Sequence, residues 1–334
     1  IENADTVEKH ISMVTSELHN LGKKKSYNEF ITIEQICKGG TEKQPETILE
    51  LLESRQDQRK EAGVGNCLGL TTGFPKLDET LNGLGKKNLV ILAARPGVGK
   101  TTMAIEFAIE QAIRKNRPVG IFSLEMDPQQ ILERILANQG EIPLEAIHKG
   151  HLEQYWVKLT NTVAKIQEAP IHFYTSYNVD ISSIMIAAKK LKEVHKIELL
   201  IIDYLQLISG SAKFKNSDSR VNEVSDISRK LKLLAMELDI PIVCLSQLNR
   251  SVENRAGGKP QLSDLRESGS IEQDADQVIF LHRPSSDNAN DRPGRISVMI
   301  EKNRHGPTTV LYVAEELKFS RFVPMQFSGN EKPT

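Results

Sequence analysis

The segment that most narrows what this chain can fold into is Leu89-Val90-Ile91-Leu92-Ala93-Ala94-Arg95-Pro96-Gly97-Val98-Gly99-Lys100-Thr101-Thr102. A continuous apolar run suits a strand buried on both faces. It passes through a Pro/Gly turn into Gly-Lys-Thr and then into helical spacing. Strand, glycine turn and helix in that order build a phosphate cradle, because backbone N–H groups of the turn and of the helix N-terminus converge on an anion. Lys100 is the cation expected at the β- and γ-phosphates of a nucleoside triphosphate, and the Thr101 hydroxyl is a ligand for Mg²⁺. Ala94, Arg95, Pro96, Gly97, Val98, Gly99, Lys100, Thr101 and Thr102 form the expected nucleotide-binding set. Ala94 occupies the first glycine position of the G-x-x-x-x-G-K-[ST] pattern, which tolerates a small side chain where φ is negative.

Around this segment, residues 67–325 alternate apolar strand runs with helical patterns. Strands are expected at 89–94, 119–124, 171–174, 199–203, 240–246, 278–281, 296–301 and 309–313, and helices at about 101–115, 128–139, 151–168, 181–195 and 220–238. Strand–helix alternation predicts an α/β fold with a mainly parallel central sheet. The last strands follow one another without helices, so the sheet is expected to end in antiparallel hairpins. Residues 326–334 read as a tail.

Residues 1–66 differ from the rest. They carry a net charge of −3, against +2 for the remainder. Val7, Ile11, Val14, Leu18 and Leu21 form one helical stripe, and Ile48, Leu51 and Leu52 begin another after Pro45. Two short amphipathic helices make no core, so they need a surface on their own globular part or on a neighbouring subunit. The first residue is Ile rather than Met, which suggests a piece of a longer protein. No apolar run reaches the roughly 18–20 residues a membrane span needs, so no membrane partner is expected. Cys37, Cys67 and Cys244 are too scattered for a disulfide framework or zinc cluster and fit a reducing cytosol.

Three further strand ends carry polar groups. Asp203 closes Leu199-Leu200-Ile201-Ile202, where a buried carboxylate needs a partner. Mg²⁺ supplies one in nucleotide-hydrolysing proteins of this kind. Glu125 follows Ile121-Phe122-Ser123-Leu124 at the carboxyl end of a strand, where open α/β sheets bind ligands. It is a candidate to orient or deprotonate an attacking water, the alternative being a surface glutamate. Gln247 ends the run through Cys244-Leu245-Ser246, and its amide can hydrogen-bond a γ-phosphate.

These strand ends, in this order, resemble the RecA-like motor domain of the DnaB-type replicative DNA helicases, a family of P-loop NTPases. The resemblance runs over about residues 67–325. It is carried by the phosphate-loop segment, by Phe122-Ser123-Leu124-Glu125-Met126, by Ile202-Asp203-Tyr204-Leu205-Gln206-Leu207 and by Leu245-Ser246-Gln247-Leu248-Asn249-Arg250. Downstream it is carried by the run from Asp264-Leu265-Arg266-Glu267-Ser268-Gly269 to Asp276 and by Lys302-Asn303-Arg304-His305-Gly306-Pro307. It implies a homo-hexameric ring that hydrolyses ATP or another NTP with Mg²⁺ at subunit interfaces. Such a ring translocates 5′→3′ on single-stranded DNA and opens forked DNA, with a primase and a helicase loader as partners. The setting would be the cytoplasm, a bacterium's own or that of a bacteriophage's host. The resemblance makes residues 1–66 linker helices plus the remnant of an N-terminal collar domain, with the 48–59 stripe docking in trans. It makes Arg304 an arginine finger, with Lys302 beside it.

The near-zero total charge of −1 hides two basic loops. Residues 209–222 hold Lys213, Lys215 and Arg220 at net +2, and residues 250–267 hold Arg250, Arg255, Lys259 and Arg266 at net +1. Each follows a strand that ends in a proposed nucleotide-site residue. By resemblance, Arg266, Glu267 and Gly269 belong to the loop that grips DNA phosphates. Phe214 is the sole aromatic in these segments, so phosphate tracking with weak sequence preference is expected. Two other functions remain open at this point: a filament-forming recombinase ATPase, and a nonmotor P-loop assembly that uses ATP to hold partners.

Overall fold

The computed structural model describes residues 67–175, 179–208, 219–265, 269–284 and 294–325, together with Ile48, which is helical and exposed. The chain divides into two compact units, Ile1–Glu61 and Ala62–Thr334. Apart from Ile48, both expected helical stripes of residues 1–66 lie outside the described residues, as does the 326–334 tail.

In the second unit the described strands form one nine-stranded sheet in the order β3-β2-β4-β5-β1-β6-β7-β8-β9. Its strands are β1 (Leu89–Ala94), β2 (Val119–Ser123), β3 (Ile171–Tyr174), β4 (Leu199–Asp203), β5 (Ile242–Gln247), β6 (Gln277–His282), β7 (Arg295–Asn303), β8 (Thr309–Glu316) and β9 (Arg321–Pro324). The first six are parallel to one another, and β7, β8 and β9 are added antiparallel. The helices are α1 (Pro75–Leu81), α2 (Lys100–Ile109), α3 (Pro128–Gly140), α4 (Leu144–Lys149), α5 (Trp156–Ile166), α6 (Ile181–His195), α7 (Ser219–Leu238) and α8 (Gly269–Asp274).

The period-2 alternation of strand side chains separates two cores. Val90, Leu92 and Ala94 of β1 point to the face covered by α1, α2 and α3, where they meet Leu77, Phe107 and Ile131. Leu89, Ile91 and Ala93 point to the opposite face, against Ile184 of α6, Leu231 of α7 and Ile271 of α8. Both faces are covered, which is why the central strands are apolar along most of their length, with polar residues at the ends of β4 and β5.

Differences from the expected elements have local causes. β5 begins at Ile242 because Pro241 has no N–H for the ladder; its carbonyl instead accepts from Leu200 N–H at 3.2 Å. The helix at 101–115 starts at Lys100 and ends in a π-helical turn, Glu110–Arg114. The first part of 151–168 is a 3₁₀ turn, Glu153–Tyr155, before α5. Helices α1, α4 and α8 are six or seven residues long, too short to print a period on the sequence. Strand β9 ends in proline and exists through its pairing with β8, Val313 to Pro324 and Glu316 to Arg321.

Candidate nucleotide site and its opposite edge

Ala94, the last residue of β1, is flanked in register by Gln247 of β5 and Leu281 of β6. Its backbone is extended, so a methyl group fits where the motif usually has glycine. The turn that follows closes with Val98 N–H donating to Arg95 O. Gly99, at φ +105°, precedes α2. A Cβ there would meet the Phe322 ring at 2.5 Å, so both conformation and space demand glycine. No side chain caps the N-terminus of α2, which leaves its first N–H groups directed at the space over the turn. Pro96 and Gly97 are exposed, while Thr102 is buried against the sheet.

Lys100 and Thr101 both reach Asp203. Lys100 Nζ lies 3.2 Å from Asp203 Oδ1, and the Thr101 hydroxyl donates to Asp203 Oδ2 at 2.7 Å. Lys100 Nζ also sits 4.2 Å from the centre of the Tyr204 ring. Asp203 Oδ1 is buried and accepts no hydrogen bond among the described residues. A buried carboxylate oxygen without a hydrogen bond, beside a threonine hydroxyl, fits a hard divalent cation whose remaining ligands are phosphate oxygens and water. No cluster of three His, Cys, Asp or Glu that could bind a metal occurs among the described residues.

The other two strand-end residues join this edge. Strand order puts β1, β5, β4 and β2 side by side, so Ala94, Gln247, Asp203 and Ser123 end neighbouring strands on one side of the sheet. Glu125 lies two residues past Ser123, which pairs with Asp203, and is exposed. Gln247 is half-buried, and its main chain is bracketed by the Gln206 side chain: Gln247 N–H donates to Gln206 Oε1 at 3.2 Å, and Gln206 Nε2 donates to Gln247 O at 3.1 Å.

Lys302 and Arg304 are elsewhere. β7 runs antiparallel to β6, with Asn303 opposite Gln277 and a register shift between Val278 and Ile279. This sets both cations at the edge where β1 begins. Arg304 forms an ion pair with Asp276 at 3.1 Å and donates to Gln273 O at 3.2 Å. Lys302 Nζ donates to Glu272 O; burial and the Arg304 charge beside it hold its pKa below the usual lysine range. Six strand residues at about 3.3 Å each separate Arg304 from Lys100 by roughly 15–20 Å along the sheet. Arg304 therefore cannot serve the phosphate loop of its own chain.

Of the expected DNA-contacting residues, Lys213, Lys215, Arg266 and Glu267 lie outside the described residues, as does the side chain of Arg220, whose backbone is in the first turn of α7. Gly269 is the first residue of α8. Arg250 is exposed at the start of the 3₁₀ turn Arg250–Asn254. Arg255 is committed inward, donating to both oxygens of Asp264 at 2.7 and 3.1 Å and to Lys259 O at 2.8 Å. Burial works against the Asp264 carboxylate, yet hydrogen bonds from Arg255 and Gln261 N–H leave its pKa below the ordinary range.

Two contributors, Arg283 and Gln206, were missed by sequence reasoning, and Arg95 of the expected nucleotide-binding set has partners that its place in the motif did not name. Arg95 ties the phosphate loop to the loop after β5, donating to Leu248 O at 2.8 Å and pairing with Glu253 at 2.6 Å. Arg283, just past β6, donates to Gly97 O at 3.3 Å and pairs with Glu315 at 2.6 Å. Gln206 holds the end of β5. Arg283 follows the apolar run of β6 and so stands at the same strand-end position as Glu125 and Gln247. That signal could have found it.

The family "DnaB-like helicase C terminal domain" matches residues 69–324. The "Replicative DNA helicase DnaB" of Leifsonia xyli subsp. xyli is 43% identical over 263 residues, 78% of this chain and 57% of the relative. The chain thus spans under three fifths of that relative's length. Among solved structures, the "ATPase Domain of G40P" superposes with a TM-score of 0.76 at 32% identity, covering 84% of this chain and all of that one. "The Structure Of A DnaB-Like Replicative Helicase And Its Interactions With Primase" gives 0.74 at 32% identity, covering 96% of this chain and 76% of that one.

Proposed function

We propose, from the premise that this chain belongs to the DnaB-like helicase C-terminal domain family and has its RecA-like P-loop NTPase fold, that it is the motor of a replicative DNA helicase. The reading is a homo-hexameric ring that hydrolyses ATP or another NTP between subunits, moves 5′→3′ on single-stranded DNA and opens forked DNA. A single observation carries it. The phosphate loop and Arg304 occupy opposite edges of one sheet, so a complete hydrolytic site needs the loop of one subunit and the arginine of the next.

In that site Lys100 and the N-terminus of α2 bind the triphosphate, displacing Lys100 from Asp203 toward the β- and γ-phosphate oxygens. Thr101 and Asp203 would hold Mg²⁺, which when bound neutralises charge on the phosphate oxygens. Glu125 orients a water molecule for in-line attack and takes its proton as the bond from the γ-phosphorus to the bridging oxygen breaks. Arg304 of an adjacent copy stabilises the charge that spreads over the transferring group. Gln247 senses the γ-phosphate and, with Arg95 through Glu253, passes its presence or loss to the basic loop after β5.

DNA phosphates are held by Lys213, Lys215, Arg220, Arg250 and Arg266, with Glu267 and Gly269 shaping the grip and Arg255 bracing the loop through Asp264. Likeness to a helicase solved for its interactions with primase supports a primase as partner, and a loader that places the ring on DNA is the other partner expected. Work at a replication fork sets the location as the cytoplasm of a bacterium or of a bacteriophage's host. No helix among the described residues is long and apolar enough to cross a membrane. Residues 1–66 are proposed as the linker helices and remnant of a collar. The test is strand displacement on a fork with a 5′ tail, read with electron microscopy of the protein on single-stranded DNA with ATP. Rings that unwind support the reading; filaments without unwinding overturn it.

A further inference from the structure

Asp276 is 1% exposed, yet two cations meet it. Its Oδ2 accepts from Lys232 Nζ at 2.6 Å and from Leu89 N–H at 2.8 Å, and its Oδ1 accepts from Arg304 at 3.1 Å. The backbone completes the anchorage. Asp276 N–H donates to Leu89 O, and Asp276 O accepts from Arg304 N–H, both at 2.9 Å. The carboxylate is thus bolted to the start of β1, a fully buried central strand of the sheet, and cannot drift.

Arg304 is held at two of its three nitrogen atoms, one terminal nitrogen on Asp276 and the other on Gln273 O. A guanidinium has five N–H donors, so among the described residues three are left for a second partner. Its side chain is 47% exposed and so remains reachable. One carboxylate facing one arginine would form a neutral pair and cancel the field that a phosphoryl group needs. Here Lys232 shares the carboxylate and also donates to Lys87 O at 2.8 Å. Asp276, Lys232 and Arg304 together carry net +1; Lys302 adds one positive charge beside them, and Glu272 and Asp274 add one negative charge each.

Resting on the interfacial site proposed above, we propose that Asp276 is a positioning residue for Arg304, and that Lys232 keeps the positioned guanidinium electropositive. The pair fixes one rotamer of a side chain that otherwise has wide freedom, before the neighbouring subunit presents its nucleotide. Lys232 touches neither nucleotide nor neighbour in this scheme. It acts through the shared carboxylate alone.

The experiment measures ATPase kinetics of the full chain, alone and in mixed assemblies. Asp276→Asn lowers kcat about 10–10²-fold, the range of a misplaced catalytic group, while KM for ATP stays within about twofold because each subunit's own phosphate loop is intact. Lys232→Met lowers kcat in the same direction with KM unchanged, and Lys232→Arg restores it. If Asp276→Asn does not fold, the two Lys232 variants carry the test. Both deficits are relieved by mixing with Lys100→Ala subunits, which are inactive yet still offer an intact Arg304. Unchanged kcat in Asp276→Asn, or in Lys232→Met, overturns the proposal. So does a deficit that Lys100→Ala subunits fail to relieve while they do relieve Arg304→Ala. If Arg304→Ala itself is not relieved, the interfacial site falls, and the role of Asp276 falls with it.

Discussion

Lys100 Nζ stands 3.2 Å from Asp203 Oδ1, and only 13% and 4% of the two side chains are exposed. The cation of the phosphate loop and the carboxylate of the adjacent strand end neutralise each other when no nucleotide is bound. Removing one leaves the other buried without its partner, and that penalty exceeds what the pair itself contributes.

Lys100→Ala should cut ATP hydrolysis at least ~10²-fold, as loss of a positioned charge on a transferring group does. The nucleotide-free variant should also unfold at lower urea, because Asp203 is then an unpaired buried charge. The double variant Lys100→Ala/Asp203→Asn should regain part of that stability without activity. Equal midpoints for the single and double variants would show that the two groups are not coupled.

Glu125→Gln should bind nucleotide normally and lose about 10²–10⁴ in turnover, the usual contribution of a general base. The side chain is exposed beside the Asp203 strand end, so the substitution disturbs no packing. A fluorescent nucleotide titration set against kcat separates the effects. A parallel fall in both would give Glu125 a structural role.

Arg304→Ala subunits and Lys100→Ala subunits, each inactive, should recover hydrolysis when mixed, since an intact loop can then face an intact arginine. The rate should pass through a maximum as the mixing ratio is varied. The absence of recovery after confirmed subunit exchange would contradict a site shared between chains.

Arg255 and Arg266 should behave differently, although both fall in one basic loop. Arg266→Ala should weaken binding to single-stranded DNA about equally across sequences and reduce the salt slope by about 0.7. Arg255→Ala should lower stability through the loss of its hydrogen bonds to Asp264 and leave the salt slope of DNA binding unchanged. Titrations across a salt series, together with urea unfolding, tell these apart. An unchanged slope in Arg266→Ala would remove it from the DNA path.

Asp78 supplies a pH signature. It accepts from the N–H and hydroxyl of Thr72, both at 2.7 Å, yet burial pushes its pKa from 3.8 to about 6. The folded state then binds the proton more tightly than the unfolded state does. This group's contribution to stability is full below about pH 4, falls as pH rises toward 6 and is constant above. Asp78→Asn keeps the acceptor Oδ1 and cannot ionise. Relative to the parent it should gain about 1–3 kcal/mol between pH 4 and pH 7, since each tenfold difference in proton affinity between the folded and unfolded states is worth about 1.4 kcal/mol. A stability difference independent of pH over that window would mean Asp78 titrates normally.

The strand ends at Ala94, Asp203 and Gln247 were legible from the chain alone, because strands buried on both faces print continuous apolar runs whose limits mark where polar groups emerge. The same holds for the phosphate loop, whose glycine and lysine spacing is set by local backbone geometry. What the linear order could not contain is adjacency across the sheet. Strand β5 lies between β1 and β4 although β1 is distant from it in the chain; the β1 pairing lets Arg95 reach Glu253, and the β4 pairing lets Gln206 bracket Gln247. Antiparallel addition of β7 likewise sent Arg304 to the far edge, onto Asp276. Arg255 read as one more cation in a basic loop until the turn folded it onto Asp264. Local periodicity and turn chemistry act within a few residues and are written in sequence. Burial of a carboxylate such as Asp276, and the choice of which cations neutralise it, arises when distant segments pack together, and so belongs to the tertiary structure.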